Sequence, residues 1–358
     1  MRKNLFISLA LAVALLLPHP GVAAASDKVY EFSYQSLFPG APHVLNRVLY
    51  KEWIEEVKKR SNNRLIINFF LSGAIVSRGE ATPALINGVL DIAGVSAADN
   101  DTLFPNSLPF TIPHIARDVI HGQRNNWKAY TTIPEIKAEW DDRMKVLAVW
   151  ASDRGALFSI KGPILTPADL AGKRVLVTSG GHVDQVNAWG GAPVRVTAND
   201  VYMSLQRGMG DVFFGNLPMI TSLKLMEVAK DVTIFPANTN FQVIGMNWDA
   251  WNELPPDLQK ILEDTTGEAF SRAAAELLYE HANADLAVAK AAGVTIHNLT
   301  DAQYQAFLTL EREPVLNAWI RNLKRLGNPD PEAAIARAFK MSEGTLAEIL
   351  AEQRQGKP

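Results

Sequence analysis

Short apolar runs alternate with longer segments of helical period along most of the chain, and this alternation is the feature that most limits the possible folds. The runs predicted as strands are Val29–Tyr34, Leu65–Phe70, Leu90–Val95, Lys145–Trp150, Arg174–Val177, Asp211–Phe214 and Asp231–Phe235. The segments predicted as helices are Val44–Lys59, Arg78–Asn87, a stretch within His114–Trp140, His182–Trp189, Asn199–Arg207 and Met219–Val228. Strands that alternate with helices predict an α/β fold with mostly parallel sheets, in which ligands bind beyond the carboxyl ends of the strands.

The last third of the chain is predicted to be mainly helical. Apolar residues keep the helical period from about Pro255 to Ala291, and a single helix of that length would be about 50 Å long. Such a helix is long enough to connect two domains. The elements predicted after it are an extended piece at Val294–Asn298, a helix that begins at a capping box of Thr300 and Gln303 and is interrupted or restarted at Pro314, and a final helix from about Pro331 to Gln355.

The N-terminus has the pattern of a secretory signal peptide. Arg2 and Lys3 precede an apolar run from Leu5 to Leu17, and the small residues Ala23–Ala25 follow it. The run is shorter than the about 20 residues that span a bilayer, so cleavage near residue 25 is favoured over a retained anchor. The mature chain is therefore expected in the periplasm, and its about 330 residues predict two domains.

Charge and cysteine content exclude several classes of protein. The net charge is −3 and becomes −5 when Arg2 and Lys3 are removed, whereas a general nucleic-acid binder needs a basic face. The chain has no cysteine, which excludes disulfides, a thiolate nucleophile and a cysteine-ligated metal. We therefore expect a fold that is held together by burial of apolar side chains alone.

The sequence also lacks the motifs that an extracytoplasmic enzyme would need. There is no G-x-S-x-G elbow, no phosphate-binding G-x-x-x-x-G-K-[ST] loop and no H-E-x-x-H zinc helix. None of the six histidines after the signal segment is paired with another at ligand spacing, so no metal site is expected. Among the histidines, His182 is the best candidate for a functional role. It follows Ser179, Gly180 and Gly181, where a strand ends and a helix begins, and the start of a helix can hold an anion. We expect a protein that is not an enzyme and has no cofactor.

Three segments in the middle of the chain carry a long family pattern. They are GPILTPADLAGK at 162–173, GGAPV at 190–194 and DVYMSLQRG at 200–208 followed by Asp211. Together they resemble the core signature of solute-binding proteins of TRAP (tripartite ATP-independent periplasmic) transporters, roughly rPI.tpeDLkGkkiRv, GA.Pv and Evy.ALq.GvvDG. Further matches to this family lie at 60–64, at Glu80 with Gly88 and Asp91, at 108–110, at 228–233 and at 248–254, so the resemblance covers most of residues 28–320.

The resemblance implies a two-lobed periplasmic binding fold, type II-like, with mixed sheets flanked by helices and a long helix that spans the hinge. It also implies closure of the lobes over one small solute, which is mostly an organic acid in this family and possibly aromatic or atypical here. The solute passes to integral membrane subunits of the importer. The lobes expected are residues 26–150 with about 237–280, and residues 151–236 with about 281–325; a C-terminal helical extension would follow at 326–358.

One departure from the family pattern concerns the solute's charge. The family holds a carboxylate with an arginine at the end of GkkiRv, through two parallel hydrogen bonds. In this chain Leu176 takes that position. Arg154 is preferred as the replacement over Arg174 and Arg195, and the aromatic residues nearby favour a less acidic or more apolar solute. The residues predicted to bind the ligand are Arg154, Ser179, His182, Phe214, Asn216, Glu80, Asn240 and Leu176.

Two alternatives remain open from the sequence. A sensory module of the same fold would deliver a bound-state signal to a membrane receptor instead of a solute to an importer. A periplasmic hydrolase would need a nucleophile and a base that the sequence does not show.

Overall fold

A computed structural model describes residues 28–38, 43–178, 180–235 and 239–354. The predicted signal peptide at residues 1–25 therefore lies outside the described residues. The strands are β1 (Tyr30–Gln35), β2 (Leu65–Phe70), β3 (Ile92–Ser96), β4 (Lys145–Trp150), β5 (Gly155–Ser159), β6 (Arg174–Val177), β7 (Ala192–Arg195), β8 (Val212–Asn216), β9 (Asp231–Phe235), β10 (Gln242–Met246) and β11 (Thr295–Asn298).

Helices lie between and after these strands. They are α1 (Tyr50–Arg60), α2 (Ala81–Ile86), α3 (Val119–Thr132), α4 (Pro134–Asp141), α5 (Gly180–Ala188), α6 (Val201–Gln206), α7 (Met219–Ser222), α8 (Trp248–Asn252), α9 (Pro256–Thr265), α10 (Gly267–Ala291), α11 (Asp301–Arg325) and α12 (Pro331–Arg354). A short π-helical stretch, Leu45–Leu49, leads directly into α1.

The strands form two separate mixed sheets. The first has the order β2-β1-β3-β10-β4, and the second has the order β11-β9-β5-β8-β6-β7. In the first sheet β10 runs antiparallel to β3 and β4, and in the second β5 runs antiparallel to β8 and β9. The prediction of mostly parallel sheets is therefore too simple, because each sheet receives one strand in the reverse direction where the chain crosses between them.

Each sheet has its own apolar core on both faces. Tyr34, Trp53 and Trp150 belong to one face of the first sheet, and Phe104 and Trp140 belong to the other. The second sheet buries one group that includes Leu176, Phe158 and Phe213, and another that includes Phe214, Trp189 and Phe235. Two sheets that are each covered on both faces can each be stable as a unit, so the molecule has two lobes.

Four segments join the two lobes. Residues 151–154 connect β4 to β5, and residues 236–241 connect β9 to β10. The helix α10 packs Phe270 and Leu278 into the first core and Ala289 into the second. The helix α11 packs Phe307 into the second core and Leu323 into the first. The sequence predicts one bridging helix, whereas the structure has two.

The long helix predicted from about Pro255 to Ala291 is broken. Thr266 has non-helical backbone angles, φ −127° and ψ −146°, and Gly267 has φ +72°, a left-handed value that favours glycine. The chain therefore ends α9 at Thr265 and restarts, and α10 alone is about 37 Å long. In contrast, Pro314 does not end α11, which continues through it from the half that packs on the second sheet to the half that packs on the first.

Several strands were not predicted, and β10 illustrates the reason. Its glycine, Gly245, weakens the strand pattern in the sequence. In the fold a side chain there has no room, because a Cβ on Gly245 would lie 2.3 Å from the sulfur of Met144. Packing against a residue about a hundred positions away therefore selects the glycine. The final helix α12 packs against α3 of the first lobe.

Candidate ligand-binding site

The strand ends that face the other lobe, with the connections beside them, carry some of the predicted site residues. On the first sheet, Ser96 ends β3 beside Gln242, which begins β10. On the second sheet, Asn216 ends β8 beside Gly155, which begins β5. Since the two connections between the sheets leave from these same edges, residues from both edges can reach a molecule that lies between the lobes.

Amide side chains organise the first-sheet edge. The Asn240 side-chain nitrogen donates to the Ser96 hydroxyl oxygen at 2.9 Å. The Asn126 side-chain nitrogen donates to the backbone oxygens of Trp150 at 3.1 Å and Asn240 at 2.9 Å. Asn126 was not predicted, because nothing in the sequence of α3 distinguishes it from other polar residues on a helix.

Buried polar atoms with unused hydrogen-bonding capacity gather where the two connections pass. Within the described part of the chain, no partner is found for Asn126 Oδ1, Asp153 Oδ2, Thr239 Oγ1, Asn240 Oδ1, Trp150 Nε1 and both side-chain polar atoms of Asn125. Buried polar atoms are normally hydrogen-bonded, and an unmade bond costs about 1–3 kcal/mol. Most of these atoms are acceptors, so this region favours a guest that carries hydrogen-bond donors.

Arg154 is already held by the protein. Its guanidinium donates to Asn283 Oδ1 of α10 at 3.1 Å and lies 5.1 Å above the ring of Tyr279. The adjacent Asp153 is only 2 % exposed, and its Oδ1 accepts from the Arg154 backbone nitrogen at 2.7 Å. Burial raises the pKa of Asp153 to about 6, although Arg154 opposes the rise. Arg154 therefore lies in the connection after β4, and its interactions hold that connection to α10.

Glu80 lies outside the cluster of predicted residues. It is exposed, and its carboxylate accepts from the Ser77 hydroxyl at 2.6 Å in a capping box that begins the turn before α2. Its neighbour Arg78 is the residue that reaches the first-sheet edge, where it donates to Asp99 at 2.8 Å and to the backbone oxygen of Leu37 at 3.2 Å. The sequence gives no sign of this, because the partners of Arg78 lie on loops after two different strands.

The second-sheet residues fall into two groups. Asn216 is half-buried at the edge, and the His182 ring packs 4.2 Å from the ring of Phe214 at the start of α5. Phe214 and Leu176 are fully buried in the two cores of the lobe. Ser179 lies outside the described residues. Asn216 and His182 are thus placed at the edge, whereas Phe214 and Leu176 support it from behind.

A polar contact joins the lobes along α10, and we call Arg47, His281, Asp285 and Thr221 the α10 bridge. Arg47 donates to His281 Nε2 at 2.8 Å, and His281 Nδ1 lies 3.7 Å from Asp285. Because arginine cannot accept, His281 accepts at Nε2 in this arrangement and its Nδ1 carries hydrogen toward Asp285. Burial raises the pKa of Asp285, and its hydrogen bond with Thr221 of the second lobe opposes the rise.

A second contact joins the lobes along α11, and we call His114, Tyr304, Glu311 and Gln185 the α11 bridge. His114 Nδ1 lies 2.6 Å from the Tyr304 hydroxyl, and its Nε2 contacts Glu311. Glu311 also accepts from the Gln185 side chain of α5 at 3.1 Å. The proximity suits an ion pair, but burial lowers the pKa of His114 to about 3 and raises that of Glu311 to about 7. Burial thus opposes charge on both groups, and we take the contact as a neutral hydrogen bond below pH 7.

A cavity of about 20 Å³ lies beside the α10 bridge. His43 lines it, and the His43 ring stacks on Phe38 at 3.7 Å. Burial lowers the pKa of His43 to about 3, with a smaller contribution from His281. The cavity is too small for an organic solute, so the lobes pack closely against each other here.

Neither a metal site nor a membrane-spanning helix is found among the described residues. No group of histidine, aspartate and glutamate side chains there could hold a metal ion. No helix within those ranges is long and apolar enough to cross a bilayer.

Comparison with known proteins gives a consistent picture. The family model "Bacterial extracellular solute-binding protein, family 7" matches residues 41–321. The C4-dicarboxylate-binding periplasmic protein DctP of Rhodobacter capsulatus is 24% identical over 303 residues, which are 83% of this chain and 87% of that protein.

Two solved structures share the fold. A TRAP solute-binding protein from Rhodoferax ferrireducens with copurified benzoate has a TM-score of 0.80 at 20% identity, over 90% of this chain and 100% of that one. A marine metagenome TRAP solute-binding protein specific for aromatic acids, with bound 3-hydroxybenzoate, has a TM-score of 0.79 at 21% identity, over 89% of this chain and 99% of that one. The predicted two-lobed architecture with mixed sheets is confirmed.

Proposed function

The chain belongs to family 7 of the bacterial extracellular solute-binding proteins, and from this premise we propose that it captures a small organic acid between its lobes for a TRAP-type importer. The family match favours this role over the sensory alternative. We further propose that the mature protein works in the periplasm, delivers its solute to integral membrane subunits and binds it without chemical change.

The observation that carries the proposal is the group of unsatisfied polar atoms at the connections between the lobes. A site made of buried amide, carboxylate and hydroxyl groups gains most from a guest that completes their hydrogen bonds. The position of these atoms at a hinge also allows lobe closure to remove the guest from water. Closure of this kind shifts a population from open to closed conformations by the difference in affinity between the two.

Among the predicted contacts, we assign Asn240 and Arg154 to the first-lobe side and the connection, and Asn216, His182 and Ser179 to the second-lobe side. Phe214 and Leu176 would shape the wall from behind. We assign Glu80 a supporting role through the turn that also carries Arg78. We also propose lobe boundaries at residues 150/151 and 236/237, within the two connections.

The bonding capacity of this site gives a chemical preference. Asn126 Oδ1, Asn240 Oδ1 and Asp153 Oδ2 are acceptors without partners among the residues described, so they match a hydroxyl group on the guest. A hydroxylated acid such as 3-hydroxybenzoate is therefore expected to bind about tenfold more tightly than benzoate, since one hydrogen bond contributes about 1 kcal/mol or more.

The test is a titration of the purified mature protein with benzoate, 3-hydroxybenzoate and succinate. A bound acid at a hundred times its Kd is expected to raise the Tm by about 5 °C. Binding should also reduce the radius of gyration in small-angle scattering, because closure makes the protein more compact. If a broad acid panel, extended to amino acids and sugars, moves neither quantity, the proposal is wrong. A spectroscopic record of turnover of any bound acid would contradict binding without chemistry.

A further inference from the structure

The leucine at the position of the family arginine is fixed by packing. Leu176 is fully buried, and a Cβ on Gly210 would lie 2.3 Å from its Cγ. The Leu176 side chain therefore occupies the space that the glycine leaves free. A guanidinium there would be placed in an apolar core, which is costly for a charge. Position 176 thus has a core role in this chain, and the charge of an acidic solute must be met elsewhere.

Three arginines, two near the facing edges and one at the opposite end of β6, already have partners. Arg154 is held by Asn283, and Arg78 is held by Asp99. Arg174, at the start of β6, donates to the Gly208 backbone oxygen at 2.7 Å and lies 3.5 Å from Asp211. Their charges are at least partly satisfied by the protein itself, so none of them is the best candidate to hold a solute carboxylate.

Two other arginines line a cavity of the second lobe that is wide open to solvent. Arg195 ends β7, in register with Val177 of the neighbouring β6, and Arg207 follows α6. Both are exposed, and neither has a hydrogen bond or ion pair with any residue in the described ranges. The cavity has a volume of about 690 Å³, enough for a small organic molecule. We call it the arginine cavity; it is lined by Thr178, Arg195, Val196, Thr197, Asp200, Met203, Ser204, Arg207 and Met209.

Charge and surface define what the arginine cavity could hold. Asp200 is its one acidic lining residue, and it accepts from the Thr197 hydroxyl at 2.5 Å. Two guanidinium groups against one carboxylate leave a single positive charge, which matches a monoanion. Met203 and Met209 are 41% and 51% exposed. Their flexible thioether side chains adapt to an apolar surface of varied shape.

We propose that the arginine cavity binds the carboxylate of the solute, with Arg195 as its main partner, and that the solute is a monoanionic acid with an apolar body. The charge that position 176 of β6 lacks is supplied from the end of the adjacent strand β7, one residue beyond Val194, which is the register partner of Leu176. This inference rests on the proposed function and specifies its ligand. Arg195 holds the carboxylate through two parallel hydrogen bonds, and Arg207 adds long-range attraction.

Isothermal titration of the wild type and single variants tests the assignment, with benzoate and 3-hydroxybenzoate as probes. Arg195→Ala is expected to weaken binding about 30-fold and Arg195→Lys about 10-fold, because lysine cannot form the paired hydrogen bonds. Arg207→Ala is expected to weaken binding about 3-fold. The matched control is Arg272→Ala, which removes an exposed arginine from the part of α10 that packs on the first lobe and should leave affinity unchanged.

Analogues of benzoate that differ in charge test separately whether the cavity selects a monoanion. Benzamide, which is neutral, should bind at least 30-fold more weakly than benzoate to the wild type, and Arg195→Ala should remove most of this difference. Phthalate and succinate, which are dianions, should bind more weakly than benzoate. Circular dichroism and the Tm of each variant without ligand should match the wild type, since the two arginines have no partner to lose among the residues described.

The outcomes separate this inference from the proposed function. If the wild type binds an acid and closes, but Arg195→Ala and Arg207→Ala bind it as tightly as the control, the arginine assignment is wrong and the function stands. If the wild type binds succinate more tightly than benzoate, the proposal that the solute is a monoanion is wrong. If the wild type binds no acid at all, both proposals are wrong.

Discussion

The α10 bridge and the α11 bridge perform the same task with the same chemistry but in different surroundings. Each places a histidine and a carboxylate between the two lobes. In the α10 bridge the side chains of His281 and Asp285 are 32% and 12% exposed, whereas in the α11 bridge His114 and Glu311 are 14% and 2% exposed. Access of water decides the character of each contact. Charge has a smaller desolvation cost in the less buried α10 bridge, whereas the α11 bridge is driven toward neutrality.

Removal of the buried Glu311 carboxylate should have the largest effect on the stability of the protein. Glu311→Ala leaves His114 and Gln185 without their partner in a site that water does not reach. We expect a loss of about 3 kcal/mol in the free energy of unfolding, measured by urea denaturation at pH 6. A loss below about 1 kcal/mol would show that water enters the α11 bridge, and the contrast between the bridges would then be wrong.

The pH dependence of stability should distinguish a neutral contact from an ion pair. Burial raises the pKa of Glu311 from its ordinary value of 4.5 to about 7, so the folded state binds a proton more tightly than the unfolded state. Its contribution to stability is therefore complete below about pH 4.5 and is lost as the pH rises through about 7. Between pH 5 and pH 8, the wild type should lose about 2 kcal/mol relative to Glu311→Gln.

The lowered pKa of His114 acts in the opposite direction, because this contribution is present above its ordinary value of 6.5 and is lost as the pH falls toward about 3. The difference between the wild type and Glu311→Gln, measured by denaturation at each pH, isolates the glutamate. A difference that is constant with pH would contradict a neutral Glu311.

The hydroxyl of Tyr304 gives a smaller test of the α11 bridge. Tyr304→Phe removes the hydrogen bond to His114 Nδ1 and keeps the ring that packs beside Phe235. We expect a loss of about 1 kcal/mol by denaturation, since a single buried hydrogen bond is removed. Tyr304→Phe measured in the background of Glu311→Gln should give a different loss of stability, because Tyr304 and Glu311 share the imidazole of His114. Equal losses in the two backgrounds would indicate that Tyr304 and Glu311 act independently.

The α10 bridge, which is the less buried of the two, should contribute least to the stability of the protein. Arg47→Ala breaks the contact with His281 that is 2.8 Å long in the folded protein. Exposed polar contacts of charged groups contribute about 0–1 kcal/mol, so we expect a loss of about 0.5 kcal/mol. That loss should shrink further at about 1 M salt, where screening is strong, whereas the effect of Glu311→Ala should not change with salt. A loss of about 2 kcal/mol that does not change with salt would show that the α10 bridge behaves like the buried α11 bridge.

Sequence reasoning succeeds where a signal is local. The strands Leu65–Phe70 and Lys145–Trp150 lie where their apolar runs predict them, and the capping box at Thr300 begins α11 as expected. The family pattern also marks position 176 as unusual from the residues alone. These features are set by neighbours in the chain, so the chain itself reveals them.

Sequence reasoning fails where partners are distant. His114 lies 197 residues from Glu311, and nothing in either segment indicates the other. The break before Gly267 is hidden because apolar periodicity continues on both sides of it. Arg195 looks like any exposed arginine until the fold places it beside β6, where it lines the same cavity as Arg207. The cavity between them depends on the pairing of two strands, which single-sequence patterns do not specify.

The proline within α11 gives the two bridging helices different mechanical properties. Pro314 has no amide hydrogen, so the hydrogen bond that would reach the carbonyl of Leu310 is missing at the point where the helix passes from one lobe to the other. The sequence of α10 contains no proline. A rotation of one lobe against the other is therefore expected to bend α11 more easily than α10, because α11 lacks one backbone hydrogen bond at Pro314.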